Sequence, residues 1–232
     1  MKIPSPYTRQ SKTNTNFYKV GAGSFHQIRL YLDSMDELLK FQKVRIGRDR
    51  KKQIKKHPQE WQLIEEFYER DVARIDVYFK RILLNSAFNA SFATFESVFK
   101  RVCNRTAYKY SQQPAFDSGP GIINKYRNYL VSILRNNFSN ADQSWQQILR
   151  YSELRNTIAH HGSVIQKKDV KNLVPFLKKQ KNVVVKKIRG EEEYRCIITD
   201  KQFIIDFLKC VQKFVRDILW ELPPGRRKKL PH

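Results

Sequence analysis

From Trp61 to Val102 apolar residues return every three or four positions, with no proline or glycine among them. Trp61, Ile64, Phe67, Tyr68, Val72, Ile75, Tyr78, Phe79, Ile82 and Leu83 make the first part of this stripe. Phe88, Phe92, Phe95, Val98, Phe99 and Val102 continue it. Such a period belongs to an α-helix, because residues at i, i+3, i+4 and i+7 fall on one side. Pro58 suits the first turn, where its missing N–H has no intrahelical partner to lose. The stretch therefore predicts one long helix, or two with a bend near Asn85, burying an aromatic stripe in a core. A helix of that length needs others around it.

The rest of the chain supplies them. Ser24 is placed to cap a helix running to about Val44, with Phe25, Ile28, Leu32, Met35, Leu38 and Leu39 inward. Further helices are expected from about Ile122 to Asn136 and from Trp145 to the glycine at 162. The last begins after Asp200 and carries Phe203, Phe207, Val211, Phe214 and Ile218 on one face. Two β-branched runs, Val183–Ile188 and Tyr194–Thr199, flank Arg189-Gly190-Glu191-Glu192 and read as a hairpin. The expectation is an all-α helical bundle with a small β-hairpin insert, at about 183–199, before the C-terminal helix. A flexible N-terminal arm would cover residues 1–23, the helical domain 24–222 and a basic tail 223–232. A loop is expected over Ser111–Gly121, and the basic stretch after Val44, containing Gly47, reads as a linker or a frayed turn.

Charge narrows the partners. Lysine and arginine number 45 against 22 aspartates and glutamates, a formal net charge of +23. The excess is clustered. One cluster runs from Lys43 to Lys56 and includes Lys51, Lys52, Lys55 and Lys56. A second runs from Lys167 and Lys168 to Arg189, and a third is Arg226–Lys229 in the tail. One charge run is usually a solvated face, but three together point to a polyanion. No apolar run approaches the length of a membrane span, and no basic amphipathic helix suggests a membrane surface, so nucleic acid is the expected partner. The opening Met-Lys-Ile-Pro-Ser-Pro lacks the apolar stretch of a secretory signal. Cys103, Cys196 and Cys210 are odd in number and lack CxxC spacing, which suits a reduced, cytoplasmic setting.

The chemistry is concentrated in Glu153–Gly162, Glu-Leu-Arg-Asn-Thr-Ile-Ala-His-His-Gly. Arg155 offers a planar fork of donors that matches a phosphate. His160 has the side chain best suited to move a proton near neutral pH. On one helix these two residues stand about 140° apart, whereas Asn156 and His160 share a face at i,i+4. Leu154 and Ile158, also i,i+4, would hold the helix to the core, and Gly162 marks its end. Either the arginine curls round toward the imidazole, or the two groups line a cleft completed by a second helix. Metal or cofactor chemistry is not expected: acidic residues are scattered, His160 and His161 diverge by about 100°, and no phosphate-binding glycine loop is present. His26, His57 and His232 are isolated and have no assigned role.

The string Leu-Arg-Asn-x-Ile-Ala-His-His-Gly resembles the Arg-x4–6-His motif of the HEPN superfamily, in particular its standalone ribonucleases of microbial defence and toxin–antitoxin loci. Gly119–Leu130 looks like the helix preceding the motif in those proteins, and the stretch around Glu96 like an earlier one. The resemblance spans roughly residues 60–220, most closely 145–165. It implies a homodimer whose motif helices face each other across a two-fold axis, with a composite site. The expected activity is metal-independent cleavage of single-stranded or loop RNA. His160 would take the ribose 2′-hydroxyl proton, Arg155 would neutralise the phosphorane, and the product would carry a 2′,3′-cyclic phosphate. Asn156, His161 and Glu96 are auxiliary candidates: Asn156 to orient the imidazole or hold a phosphate oxygen, His161 as a second proton carrier, Glu96 to orient Arg155. An antitoxin or defence-system partner is implied as well. The alternatives are a non-catalytic RNA-binding or partner-binding HEPN module and a purely structural dimerisation bundle.

Overall fold

A computed structural model describes residues 6–112, 121–134 and 141–221. Its elements in chain order are α1 (Pro6–Lys56), a 3-10 turn (Pro58–Glu60), α2 (Trp61–Arg74), a π-helical turn (Ile75–Phe79), α3 (Lys80–Lys109), α4 (Ile122–Leu134), α5 (Asp142–His161), β1 (Val164–Ile165), α6 (Lys167–Lys178), β2 (Val183–Lys187), β3 (Tyr194–Ile198) and α7 (Gln202–Glu221). The chain is mainly helical with one small antiparallel sheet. Among the described residues no helix is long and apolar enough to cross a membrane.

Three expectations need correction. The arm expected over residues 1–23 is helical from Pro6 onward, and the basic stretch after Val44 stays in α1 to Lys56. Proline at the first helical position begins a helix without losing a bond. Gly47 is accommodated because it lies against Tyr68, whose ring would stand 4.0 Å from an added Cβ. Second, the irregularity of the long stripe falls at the π turn Ile75–Phe79, not near Asn85. Third, Trp61, Phe67, Tyr78, Phe79 and Ile82, together with Leu38, are all at least half exposed. Their periodicity is real, but among the described residues no element covers that side.

The chain divides into two units, each formed by segments far apart in sequence. Met1–His26, Ser91–Ser152 and Asp206–His232 make one. Its core is aromatic: Phe95 and Phe99 of α3 stack at 5.6 Å and meet Phe214 of α7 edge-on. Trp145 of α5 stacks on Phe214 at 5.2 Å, and Tyr126 of α4 closes on Phe99. Edge-to-face and offset contacts of this kind add to what burial alone contributes.

Gln27–Ala90 and Glu153–Ile205 make the second unit, which holds the motif. Phe88 of α3 packs on Phe203 of α7, and Leu173, Val174 and Leu177 form the buried side of α6. The hairpin forms as expected, with Val183 opposite Ile198 through to Lys187 opposite Tyr194. A third strand, β1, has no signature in the sequence; it adds to the other edge of β3, giving the order β1-β3-β2. Helix α6 is equally unexpected, since its apolar face is hidden among lysines and contains Pro175. Lys201, just before α7, bonds Asp33 at 2.7 Å and Asp36 at 2.8 Å on α1. Those two carboxylates raise its ammonium above the ordinary lysine range. The expected loop over 111–121 is described only to Gln112 and at Gly121, and the tail 223–232 lies outside the described residues.

Candidate active site

The motif occupies the last turns of α5. Leu154 and Ile158 are buried as expected, and Thr157 is buried with them, its hydroxyl donating to the Glu153 carbonyl at 3.0 Å. That face fixes the rotation of the helix. Asn156 and His160 are left exposed on the opposite side, with Arg155 half-buried at their flank. Arg155 curls toward Asn156, not His160: its Nη1 donates to Asn156 Oδ1 at 3.0 Å. This bond uses the amide oxygen of Asn156 as an acceptor, and Asn156 and His160 share a face at i,i+4. Among the described residues, the His160 and His161 side chains have no hydrogen-bond or ion-pair partner, and both are exposed.

The helix ends at Gly162, whose φ of 56° lies in the left-handed region that glycine enters without penalty. Ser163 follows with φ 72°, unusual for a residue with a Cβ, and its surroundings hold it there. Its N–H reaches back to the Thr157 carbonyl at 3.2 Å, and its own carbonyl accepts from Cys196 N at 2.9 Å on β3. Its hydroxyl accepts from Asn85 Nδ2 of α3 at 3.2 Å. The chain then runs straight into β1, where Val164 pairs with Arg195 and Ile165 with Tyr194. The histidines therefore sit on a helix end clamped to both a sheet and α3. Sequence reading missed Ser163. The only available sign was a serine directly after the terminal glycine.

The remaining expected site residues are dispersed. Lys51, Lys52, Lys55 and Lys56 lie on the last turns of α1, all exposed. Lys167 and Lys168 are exposed on the first turn of α6, where Lys167 pairs with Glu192 of the hairpin turn. The chain between Gly162 and Lys167 limits their Cα separation to about 18 Å, so this second cluster stays near the motif. On β2 and β3, Lys186 and Arg195 stand directly opposite each other, both exposed, a pairing the sequence did not show. Glu96 is half-buried on the part of α3 that belongs to the other unit. Among the described residues no group of three or more His, Cys, Asp or Glu is arranged to hold a metal ion.

The thiols are not poised for chemistry. Burial pushes Cys196 up to about 12, against a small opposing effect of its own backbone hydrogen bond. Burial also pushes Cys210 up to about 12, despite Lys213 nearby, and raises Cys103 further.

Set against family models, curated protein sequences and solved structures, the chain matches none.

Proposed function

We propose that the protein is a metal-independent endoribonuclease of HEPN type, acting on single-stranded or loop RNA. What supports the reading is the Arg155–Asn156–His160 constellation on the outer face of a helix end anchored by Leu154, Ile158 and Ser163. In this reading His160 removes the 2′-hydroxyl proton, the oxygen attacks the adjacent phosphorus, and the 5′-oxygen leaves with a proton from His161 or from His160 of a second copy. Arg155 neutralises the charge that builds on the phosphorane. Asn156, already bonded to Arg155, offers its Nδ2 to a phosphate oxygen or to the imidazole. Lys167, Lys168 and the cluster at Lys51–Lys56 draw the backbone in. An enzyme of this kind is toxic unless restrained, which suits a toxin or antiphage effector with an antitoxin or defence-system partner in a reduced, cytoplasmic setting.

A second reading is favoured by one observation: among the described residues no side chain orients His160, whereas general bases are usually fixed by a partner. In that reading Arg155 and His160 grip RNA, or a partner protein, without cutting.

One assay separates the two. Purified protein is incubated with RNA in excess EDTA beside Arg155→Ala and His160→Ala. The nuclease reading expects cleavage that persists in EDTA, disappears in both variants and leaves 2′,3′-cyclic phosphate ends. RNA binding with intact RNA supports the second reading, and failure to bind RNA at low salt overturns both.

A further inference from the structure

Successive residues of a β-strand point to opposite sides, so the sheet beside the motif has two distinct faces. Ile165, Val183, Cys196 and Ile198 are buried on one of them. Val164, Val184, Lys186, Arg195 and Ile197 share the other, where Lys186 and Arg195 are exposed and Val184 is 39% exposed. Across that open face the register sets three residues in one row: Lys186 on β2, Arg195 on β3 and Val164 on β1. Hydrogen bonds fix the spacing of the row. Thr199 N donates to Asn182 O, and Ile188 N to Glu193 O. Hydrogen-bonded pairs alternate along an antiparallel ladder, so Lys186 and Arg195, in step between them, form another, with Cα atoms about 5.5 Å apart. Cys196 N donates to Ser163 O, which makes Val164–Arg195 the closer kind of pair, about 4.5 Å. Three steps of chain join His161 to Val164, so the Arg195 Cα stands within about 15 Å of the His161 Cα. The row leads from the motif end of α5 straight across the sheet.

Two cations set directly opposite each other in a sheet repel. Among the described residues neither side chain has an ion-pair or hydrogen-bond partner, and Glu192 of the hairpin turn is held by Lys167. An anion seated between the two would satisfy both, and phosphate is the anion that the chemistry proposed for α5 brings to this place. We propose that Lys186 and Arg195 form a subsite for one backbone phosphate of the RNA, at a linkage beside the one cut and not at the scissile linkage itself. Arg195 supplies a planar fork of donors and Lys186 a point charge. The partly exposed Val184 and Ile197, the next pair on the same face, give the adjoining ribose or base an apolar floor. The subsite rests on the nuclease reading for what the strand is doing there, and it adds a requirement on substrate length. RNA must extend past the cut and across the sheet to bind fully.

Steady-state cleavage of two RNAs is the test: a dinucleotide, which has only the scissile phosphate, and a much longer single strand. Lys186→Gln and Arg195→Gln should each raise KM for the long strand by up to about fivefold at about 0.1 M salt, since neutralising one phosphate of a single strand scales affinity as salt concentration to the power of about −0.7. The kcat should not change, and neither should cleavage of the dinucleotide. Arg195→Lys should keep most of the affinity. Lys209→Gln, at an exposed lysine of α7 in the other unit, removes the same charge and should leave KM as it was. Both subsite variants relieve a like-charge pair, so they should fold as well as the wild type. An uncleavable 2′-deoxy strand of the longer length, followed by fluorescence anisotropy, reads binding alone. If the wild type cuts no RNA, yet both subsite variants weaken that binding and Lys209→Gln does not, the nuclease reading fails and the phosphate subsite stands. The subsite is overturned if both variants bind and cut the long strand as the wild type does, if Lys209→Gln loses as much, or if the dinucleotide suffers equally.

Discussion

Ser163 carries more of the site's geometry than any residue of the motif itself. It is buried, holds a left-handed backbone and joins three elements through its amide, carbonyl and hydroxyl. Replacing it with alanine keeps the backbone bonds but removes the acceptor of Asn85, and should lower unfolding free energy by about 1–2 kcal/mol in urea titrations. Gly162 tests the turn more directly. A Cβ there would touch nothing within 4 Å, so Gly162→Ala meets only the backbone penalty of φ 56°, about 1–2 kcal/mol. Gly162→Asn should cost less, because asparagine tolerates that region. Equal losses for both would show that the turn is not what holds the helix end. The cysteines make a separate prediction: with Cys103 and Cys196 buried, and Cys196 pushed up to about 12, a thiol reagent in mildly alkaline buffer should leave those two unlabelled in the folded protein. All three cysteines should react once denaturant is added. Quick labelling of Cys103 or Cys196 in the folded protein would mean its burial is wrong.

Among the elements, the sheet poses the sharper question. Lys186 and Arg195 face each other across β2 and β3, an arrangement that destabilises a sheet when nothing neutralises it. A bound phosphate backbone would neutralise it. Lys186→Gln should therefore raise the melting temperature slightly in the free protein while weakening RNA binding. The slope of log K against log salt should become shallower by about 0.7 if this lysine neutralises one phosphate. A variant that binds RNA as tightly as the wild type would assign the pair to the solvated surface. The sheet also shows what a sequence reveals and what it hides. The hairpin was legible because two β-branched runs flank a glycine turn, and α5 because Leu154 and Ile158 repeat with the helical period. β1 has two residues and no pattern to detect. In α6, Leu173, Val174 and Leu177 are diluted by lysines and by Pro175, which reads as a stop. The exposed row from Trp61 to Ile82 shows a different limit. Periodicity identifies the apolar side of a helix but not whether the same chain provides something to cover it.

At the scale of the whole molecule, charge and chemistry make separable demands, and separating them tests the function. The formal charge of +23 attracts any polyanion, whereas the chemistry proposed for Arg155, Asn156 and His160 needs a 2′-hydroxyl next to the phosphate. Composition makes legible only the attraction to a polyanion. The proposed cutting rests on a residue pattern alone, because the letters give the spacing of Arg155 and His160 about a helix axis but not where their side chains go. Single-stranded DNA and RNA of one length present the same phosphates. They should compete for the protein with similar steep salt dependence, a slope of about −4 if roughly six phosphates are engaged. Only the RNA should be shortened, and an RNA carrying a single 2′-deoxy residue should resist cleavage at that one linkage while being cut elsewhere. His160→Ala should bind both strands nearly as the wild type does and cut neither, since it removes the base and leaves the cationic surface intact. Cleavage of the DNA strand, or of the deoxy-substituted linkage, would rule out attack by the 2′-oxygen and with it the role assigned to His160.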